Sequence, residues 1–290
     1  MRRHGFTLIE FLVVTGIIAV LLALTLAGVQ RVRMVAARTV CADNTRQLAL
    51  GLQNYHSTHG RFPPGIRGAK DRYPFMAWSA RLLPYLEQSA AWAEAVEDYK
   101  RQPSFTSPVP HRNLARPLPV FLCPADGRKV GTTEEGTTAA FTFYLGVSAS
   151  FSQQRDGVLF RDSDVRLADV TDGTSHTLIL GERPPSADAY FGWWYAGIGQ
   201  DQLDGSADSV MAVRELNRTF RAPTCPHGPY HFGPGSPDDP CDTFHFWSLH
   251  PRGAHFAFAD GSVRFLRYDA DPILPALATR AGGEAVALPD

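Results

Sequence analysis

The sequence predicts an α+β fold in which one long N-terminal helix packs on a mainly antiparallel β-sheet domain. Three observations point there. An uncharged apolar run from Phe11 to Val29 opens the chain. An apolar stripe at helical spacing carries on to about residue 55. Beyond residue 60 the chain turns to Gly, Pro, aromatic and β-branched residues, the composition of short strands joined by turns.

The opening run decides placement. At the rise of an α-helix it is roughly 28 Å long, close to the hydrocarbon thickness of a bilayer. No proline interrupts it, so a transmembrane span at about 11–29 is the direct reading. The rival is a secretory signal peptide, for which Thr25-Leu26-Ala27 offers a small-residue cleavage site. Glu10 argues for the span. An unpaired carboxylate at bilayer depth costs on the order of 3 kcal/mol, so an acid there has a task that a discarded signal does not need. Cleavage after Gly5 would give Phe6 a positive amine for Glu10 to pair with, in its own chain or in a neighbour.

The helix continues past the membrane. Met34, Ala37, Cys41, Thr45, Leu48, Leu52 and Tyr55 form one face, with Arg38, Asp43, Arg46 and Gln53 opposite. His59-Gly60 and Pro63-Pro64-Gly65 end it. The expected organisation is a leader at 1–5, a helix at 6–58 and an extracytoplasmic globular domain at 59–290.

Within that domain, Trp78 to Tyr99 reads as helix broken at Pro84. Pro119–Cys123, Ala139–Val147, Gly157–Phe160, Thr177–Glu182 and Tyr190–Tyr195 read as strands. Residues 253–268 read as a hairpin turning at Asp260-Gly261, a pair suited to a type I′ turn. A short helix and a tail follow. At 290 residues the chain can bury a sizeable core, and 28 basic against 29 acidic residues give no broad basic field, so no nucleic-acid partner is expected.

Basic residues, then Gly5, then Phe6-Thr7-Leu8-Ile9-Glu10, then an apolar helix, closely resemble the class III signal of type IV pilins and type II secretion pseudopilins. That resemblance implies a pilin-like fold, cleavage between Gly5 and Phe6 by a prepilin peptidase, N-methylation of Phe6, and a role for Glu10 in subunit assembly. The N-in, C-out orientation in the inner membrane rests on it too, because Arg residues flank both ends of the span. A second resemblance covers almost the whole chain. His250, nine residues, then Asp260-Gly261 fits the H-x9-D-G motif of a large bacterial family of unknown function that also carries the prepilin N-terminus. Asn54-Tyr55-His56, Phe121-Leu122-Cys123-Pro124 and Asp172-Gly173-Thr174-Ser175 fit the same family. Phe11 and Gly16 depart from it, and Cys225 to Cys241 looks like an insertion.

Several residues bear on chemistry. His250, His255 and Asp260 have metal-ligating types, but a structural hydrogen bond from His250 to a hairpin carbonyl or to Asp260 is the simpler reading. Cys225, His227, His231 and Cys241 lack zinc-finger spacing, so a Cys225–Cys241 disulfide is expected, worth about 3 kcal/mol. Cys41 and Cys123 form a second bridge or stay buried thiols, and spacing leaves both open. No cofactor is expected. Asp162, Asp164, Asp169 and Asp172 are the candidate set for calcium, which major pseudopilins hold in a loop, but they lack EF-hand spacing and suit ordinary turns. Ser175, His176 and Asp172 adjoin in sequence, which a catalytic triad seldom does. Phe191, Trp193, Trp194 and Tyr195 read as core rather than as a carbohydrate platform.

The sequence therefore predicts a non-enzymatic, single-pass pilin-like subunit. Its expected partners are prepilin peptidase, the membrane and other pilin-like subunits, in a type IV pilus or type II secretion-like fibre. The alternative is a membrane-tethered binding module for a glycan or peptide.

Overall fold

The computed structural model of the protein describes residues 8–200, 204–284 and 286–287. Helix α1 spans Leu8–His59, 52 residues without a break. At 1.5 Å per residue it is about 78 Å long. Its described side chains stay exposed as far as Ala36, Leu8 by 79% and Leu24 by 67%. From Ala37 onward one face is buried, through Cys41, Thr45, Leu48 and Leu52. Met34, expected on that face, stays exposed because the domain begins one turn later. Gly60 ends the helix at φ +71°, its N–H donating to His56 O.

Helix α2 (Trp78–Arg81), a 3-10 turn at Leu83–Tyr85 and helix α3 (Ser89–Arg101) follow, with the break at Pro84. Strands β1 (Val130–Thr132) and β2 (Thr138–Ala140) form a small hairpin. The main sheet holds β3 (Tyr144–Phe151), β4 (Leu178–Glu182), β5 (Val210–Arg214), β6 (Gly253–Phe258) and β7 (Val263–Arg267), in the order β5-β3-β4-β6-β7. Every pairing is antiparallel except β3 with β5. Helix α4 (Leu274–Ala278) follows β7.

The sheet separates two cores. Alternation along β6 sends Ala254, Phe256 and Phe258 to a core shared with Leu274 and Leu277 of α4. It sends Ala257 to the core shared with Cys41, Leu48 and Leu52 of α1. Strand β6 thus buries both of its faces rather than one, while β7 stays largely half-buried or exposed.

Four expectations are corrected. Pro119–Phe121 is a 3-10 turn, because Pro119 has no N–H for a ladder and the backbone closes locally onto Leu118 and Pro119 carbonyls. Tyr190–Tyr195 is not a strand: Gly192 sits at φ +97°, and the run is held by an isolated bridge from Phe141 to Trp193 and by the Ala77 N–H on Tyr195 O rather than by a ladder. Gly157–Phe160 runs beside β3 through Ser148 and Val147 carbonyls without forming a strand of its own. Finally, Gly261 has positive φ (+86°) but Asp260 does not, so the hairpin turns through a type I turn with a glycine bulge instead of type I′.

Candidate functional site

The expected cleavage pair, Gly5 and Phe6, lies outside the described residues. Glu10 sits in the first turn of α1, exposed, beside Phe11 and one turn from Val14. Around it the helix offers apolar side chains on every side, in a span that meets the length and composition of a membrane crossing.

The H-x9-D-G residues meet other elements rather than one another. Asp260 Oδ1 accepts the Ser262 N–H at 2.8 Å, and its own N–H donates to Thr174 O at 3.0 Å. Ala259 N–H donates to Thr177 O, so the Asp172–Ser175 segment lines the hairpin turn. His56 Nε2 accepts the Leu167 N–H, and Asn44 Nδ2 donates to Leu122 O. These bonds gather the scattered family motifs around the lower half of α1.

His250 turns away from Asp260. Its Nε2 lies 3.5 Å from Glu182 Oε1 and 3.8 Å from Cys123 Sγ. The other Glu182 oxygen accepts both the His255 N–H (2.6 Å) and His255 Nδ1 (3.1 Å). Cys41 Sγ donates to Cys123 Sγ at 2.6 Å. All five side chains are buried. The charges are set by this packing. Burial pushes against ionisation of Glu182, but the two histidines outweigh it and hold the carboxyl below its usual range. Burial likewise opposes the charge on His250, yet Cys123 and Glu182 lift it to about 9. The Cys41 hydrogen bond, with His250, draws Cys123 down to about 6, while the same bond and burial push Cys41 up.

Two ligand sets in this cluster are close enough for a metal: Cys41, Cys123 and His250, and Glu182, His250 and His255. Tetrahedral zinc with bonds near 2.3 Å needs its two sulfurs about 3.7 Å apart. The Cys41–Cys123 contact is far inside that, and it suits a covalent sulfur pair better than a shared ion. Neither Glu182 nor the Cys41–Cys123 contact was legible from spacing. For Glu182 the sequence offers two signals, its place in a Gly181-Glu182 pair that fits the family with the H-x9-D-G motif and its position closing an otherwise apolar strand, Leu178-Ile179-Leu180-Gly181-Glu182.

The four aspartates proposed for calcium take separate partners. Asp162 accepts the Gly68 N–H, Asp164 pairs with Arg61, and Asp169 pairs with Arg166. Asp172 accepts the N–H groups of Gly282 and Gly283, leaving it turned from the Ser175–His176 contact. Among the described residues, no three of the four come within ligand distance of one another. Cys225 and Cys241 are joined by a disulfide, beside buried Phe244. His231 lies apart from it, bonded to Asp271.

A cavity of about 510 Å³ opens elsewhere in the domain, lined by Phe75, Phe105, Tyr190, Trp193, Gln200 and Asp208 among others. Phe191, Trp193, Trp194 and Tyr195 are all buried, as the core reading expects, and Phe191 and Trp193 also form part of the cavity wall.

Comparison with known proteins bears on the family of the chain. A family model described as "Protein of unknown function (DUF1559)" matches residues 30–272, and one described as "Prokaryotic N-terminal methylation motif" matches residues 1–26. No curated protein and no solved structure matches the chain. The motif at the N-terminus is that of a pilin-like protein processed as a prepilin, and its helix is that of a single-pass membrane protein. From its matched length the chain belongs to the DUF1559 family.

Proposed function

We propose that the protein is a structural subunit of a type IV pilus or type II secretion-like fibre. Prepilin peptidase removes residues 1–5, and Phe6 becomes the methylated N-terminus. Helix α1 stays in the inner membrane, with the domain on the extracytoplasmic side. In the fibre the same helix leaves lipid and packs against its equivalents in neighbouring pilin-like subunits.

One observation carries this reading. The half of α1 from Leu8 to Ala36 is largely apolar and bare, while the half from Ala37 onward is docked. Such a surface is stable only in lipid or against other helices. Cleavage would create a Phe6 amine four residues before Glu10 for that carboxylate to pair with, and partial burial would strengthen the attraction.

The test combines two measurements. Mass spectrometry of the mature native protein should find methylated Phe6 at its start. Glu10→Ala should leave the membrane fraction unchanged and abolish incorporation into sheared, high-mass assemblies. Equal incorporation with and without the carboxylate would remove the fibre reading, and a mature chain starting near Gly28 would remove the anchor.

A further inference from the structure

The stretch of α1 just beyond the apolar run is basic, and its charge is unanswered. From Phe11 to Ala42 the chain carries no acid, while Arg31, Arg33 and Arg38 are all exposed. Among the described residues, the side chains of Arg31 and Arg33 form no ion pair or hydrogen bond. Asp43, the first acid after the run, is taken by Arg46 at 2.9 Å. At the rise of an α-helix, Arg31 and Arg33 stand about 3 and 6 Å beyond Val29. The polar layer on each side of a bilayer's hydrocarbon is about 5–7 Å thick. Both residues therefore lie at the depth of phospholipid headgroups.

The β6–β7 hairpin adds charge on one side of this stretch. Gln53 donates to Ala259 O at the hairpin tip, and Arg38 lies 3.6 Å over the Phe265 ring, so β7 runs along α1 toward the membrane end. Arg267 comes two residues later, on the same face as Phe265. It is exposed, and its 3.4 Å pairing with Asp269 joins two solvent-facing groups, a contact that holds little. Arg31 stands seven residues before Arg38, on the same side of the helix and below the hairpin. Stacking on Phe265 occupies the flat face of the Arg38 guanidinium and leaves its N–H edge, which donates no hydrogen bond to the protein. Three arginines thus line the angle between helix and hairpin, and their forked donors match phosphate oxygens. Arg264 stands on the other face of β7, over the Phe258 ring.

We propose that Arg31, Arg38 and Arg267 form a seat for the phosphate of an anionic phospholipid in the leaflet next to the domain. Depth selects the ligand, because headgroups surround Arg31 wherever the apolar run fills the hydrocarbon. Charge selects among lipids. A zwitterionic headgroup brings an ammonium along with its phosphate, which the arginines repel, whereas phosphatidylglycerol brings only the negative charge. The proposal rests on α1 as a membrane anchor and is independent of fibre assembly. A seated lipid would hold the base of the domain against the bilayer surface.

The experiment places the full chain, one copy per disc, in nanodiscs of equal phosphatidylglycerol and phosphatidylcholine. Native mass spectrometry then counts the lipids that stay on the ejected protein. Arg2→Gln and Arg3→Gln are present throughout, so the opposite leaflet adds no bias. The chain should retain phosphatidylglycerol about fivefold over phosphatidylcholine, the selectivity of about one arginine at an anionic surface. Adding Arg31→Gln and Arg267→Gln together should bring the ratio within about twofold, and Arg264→Gln alone should leave it unchanged, with thermal melts showing both variants folded. Equal retention of the two lipids before those changes overturns the proposal. So does enrichment that survives the Arg31 and Arg267 changes, or that falls as far with Arg264→Gln, the mark of diffuse charge only. Chains found outside the discs would overturn the anchor as well, whereas an embedded chain without enrichment removes the seat alone.

Discussion

The Gln53 side-chain amide donates to the Ala259 carbonyl at 2.6 Å, joining the last turns of α1 to the tip of the β6–β7 hairpin 206 residues later. Arg38, four turns earlier on the helix, lies 3.6 Å over the Phe265 ring of β7. The hairpin that carries the Asp260-Gly261 motif is therefore a clamp on the helix.

The clamp depends on the turn. Gly261 at φ +86° has only the flexible Gln53 Cγ, at 3.4 Å, near a would-be Cβ. Gly261→Ala should thus cost backbone strain alone, about 1 kcal/mol, or a few degrees in Tm. An unchanged melt would refute the glycine bulge.

Glu182 should tolerate little. Glu182→Gln keeps the size and an acceptor for the His255 N–H but removes the charge facing His250. Losing one partner of a buried ion pair costs about 3–5 kcal/mol. Chemical denaturation should show that loss, and His250→Gln in the same background should recover part of it. Additive losses would show that the two residues are not coupled.

Asp208 gives a pH signature. Burial raises its carboxyl to about 7, from an unfolded value near 3.9. The folded protein then holds the proton more tightly than the unfolded chain. The resulting stability is present in full below about pH 4 and is lost as the pH rises through about 7. Asp208→Asn lacks this dependence. Melting both proteins from about pH 4 to pH 8 should show the wild type losing ground to the variant across that window. A constant gap between them would rule out a carboxyl raised by burial.

Cys41 and Cys123 should cross-link. They are in contact and buried, and in the orientation proposed above the domain lies on the side of the membrane where disulfides form. Oxidised glutathione should accept their two electrons and leave a Cys41–Cys123 bond beside Cys225–Cys241, both visible in a non-reducing peptide map. With the partners 82 positions apart in sequence, the bond should add about 4.5 kcal/mol on the chain-entropy model. Recovery of both thiols alkylated after unfolding would contradict this.

The two halves of α1 should respond oppositely. Leu48→Ala, in the core, should cost about 2–5 kcal/mol of domain stability without changing membrane retention. Leu21→Asp, on the bare half, should spare the domain melt but weaken membrane retention by about 3 kcal/mol. Equal effects on both readouts would deny the division.

Periodicity was enough to read α1, because its stripe repeats over many turns and tertiary context needs to choose only its face. The hairpin was legible from Asp260-Gly261, though its turn type was not, since that depends on the φ of a single residue. The run Tyr190–Tyr195 misled because aromatic content suits a strand, whereas Gly192 bends the chain around the cavity. β5 was missed, being a short parallel edge whose partner lies far back in sequence. The Cys41, Cys123, Glu182, His250 and His255 cluster comes from four distant segments, and no spacing rule places such residues together. Asp208 and Gln200 carry no motif at all.

One unbroken rod of 52 residues has a mechanical consequence. A pull on the membrane end cannot be absorbed by a kink or a hinge, so it arrives as shear along the seam from Ala37 to Leu52. That seam is held by interlocked side chains, by Gln53 and by the sulfur contact at Cys41. The domain would therefore resist traction as one block, with the yield point at the place where the rod enters it.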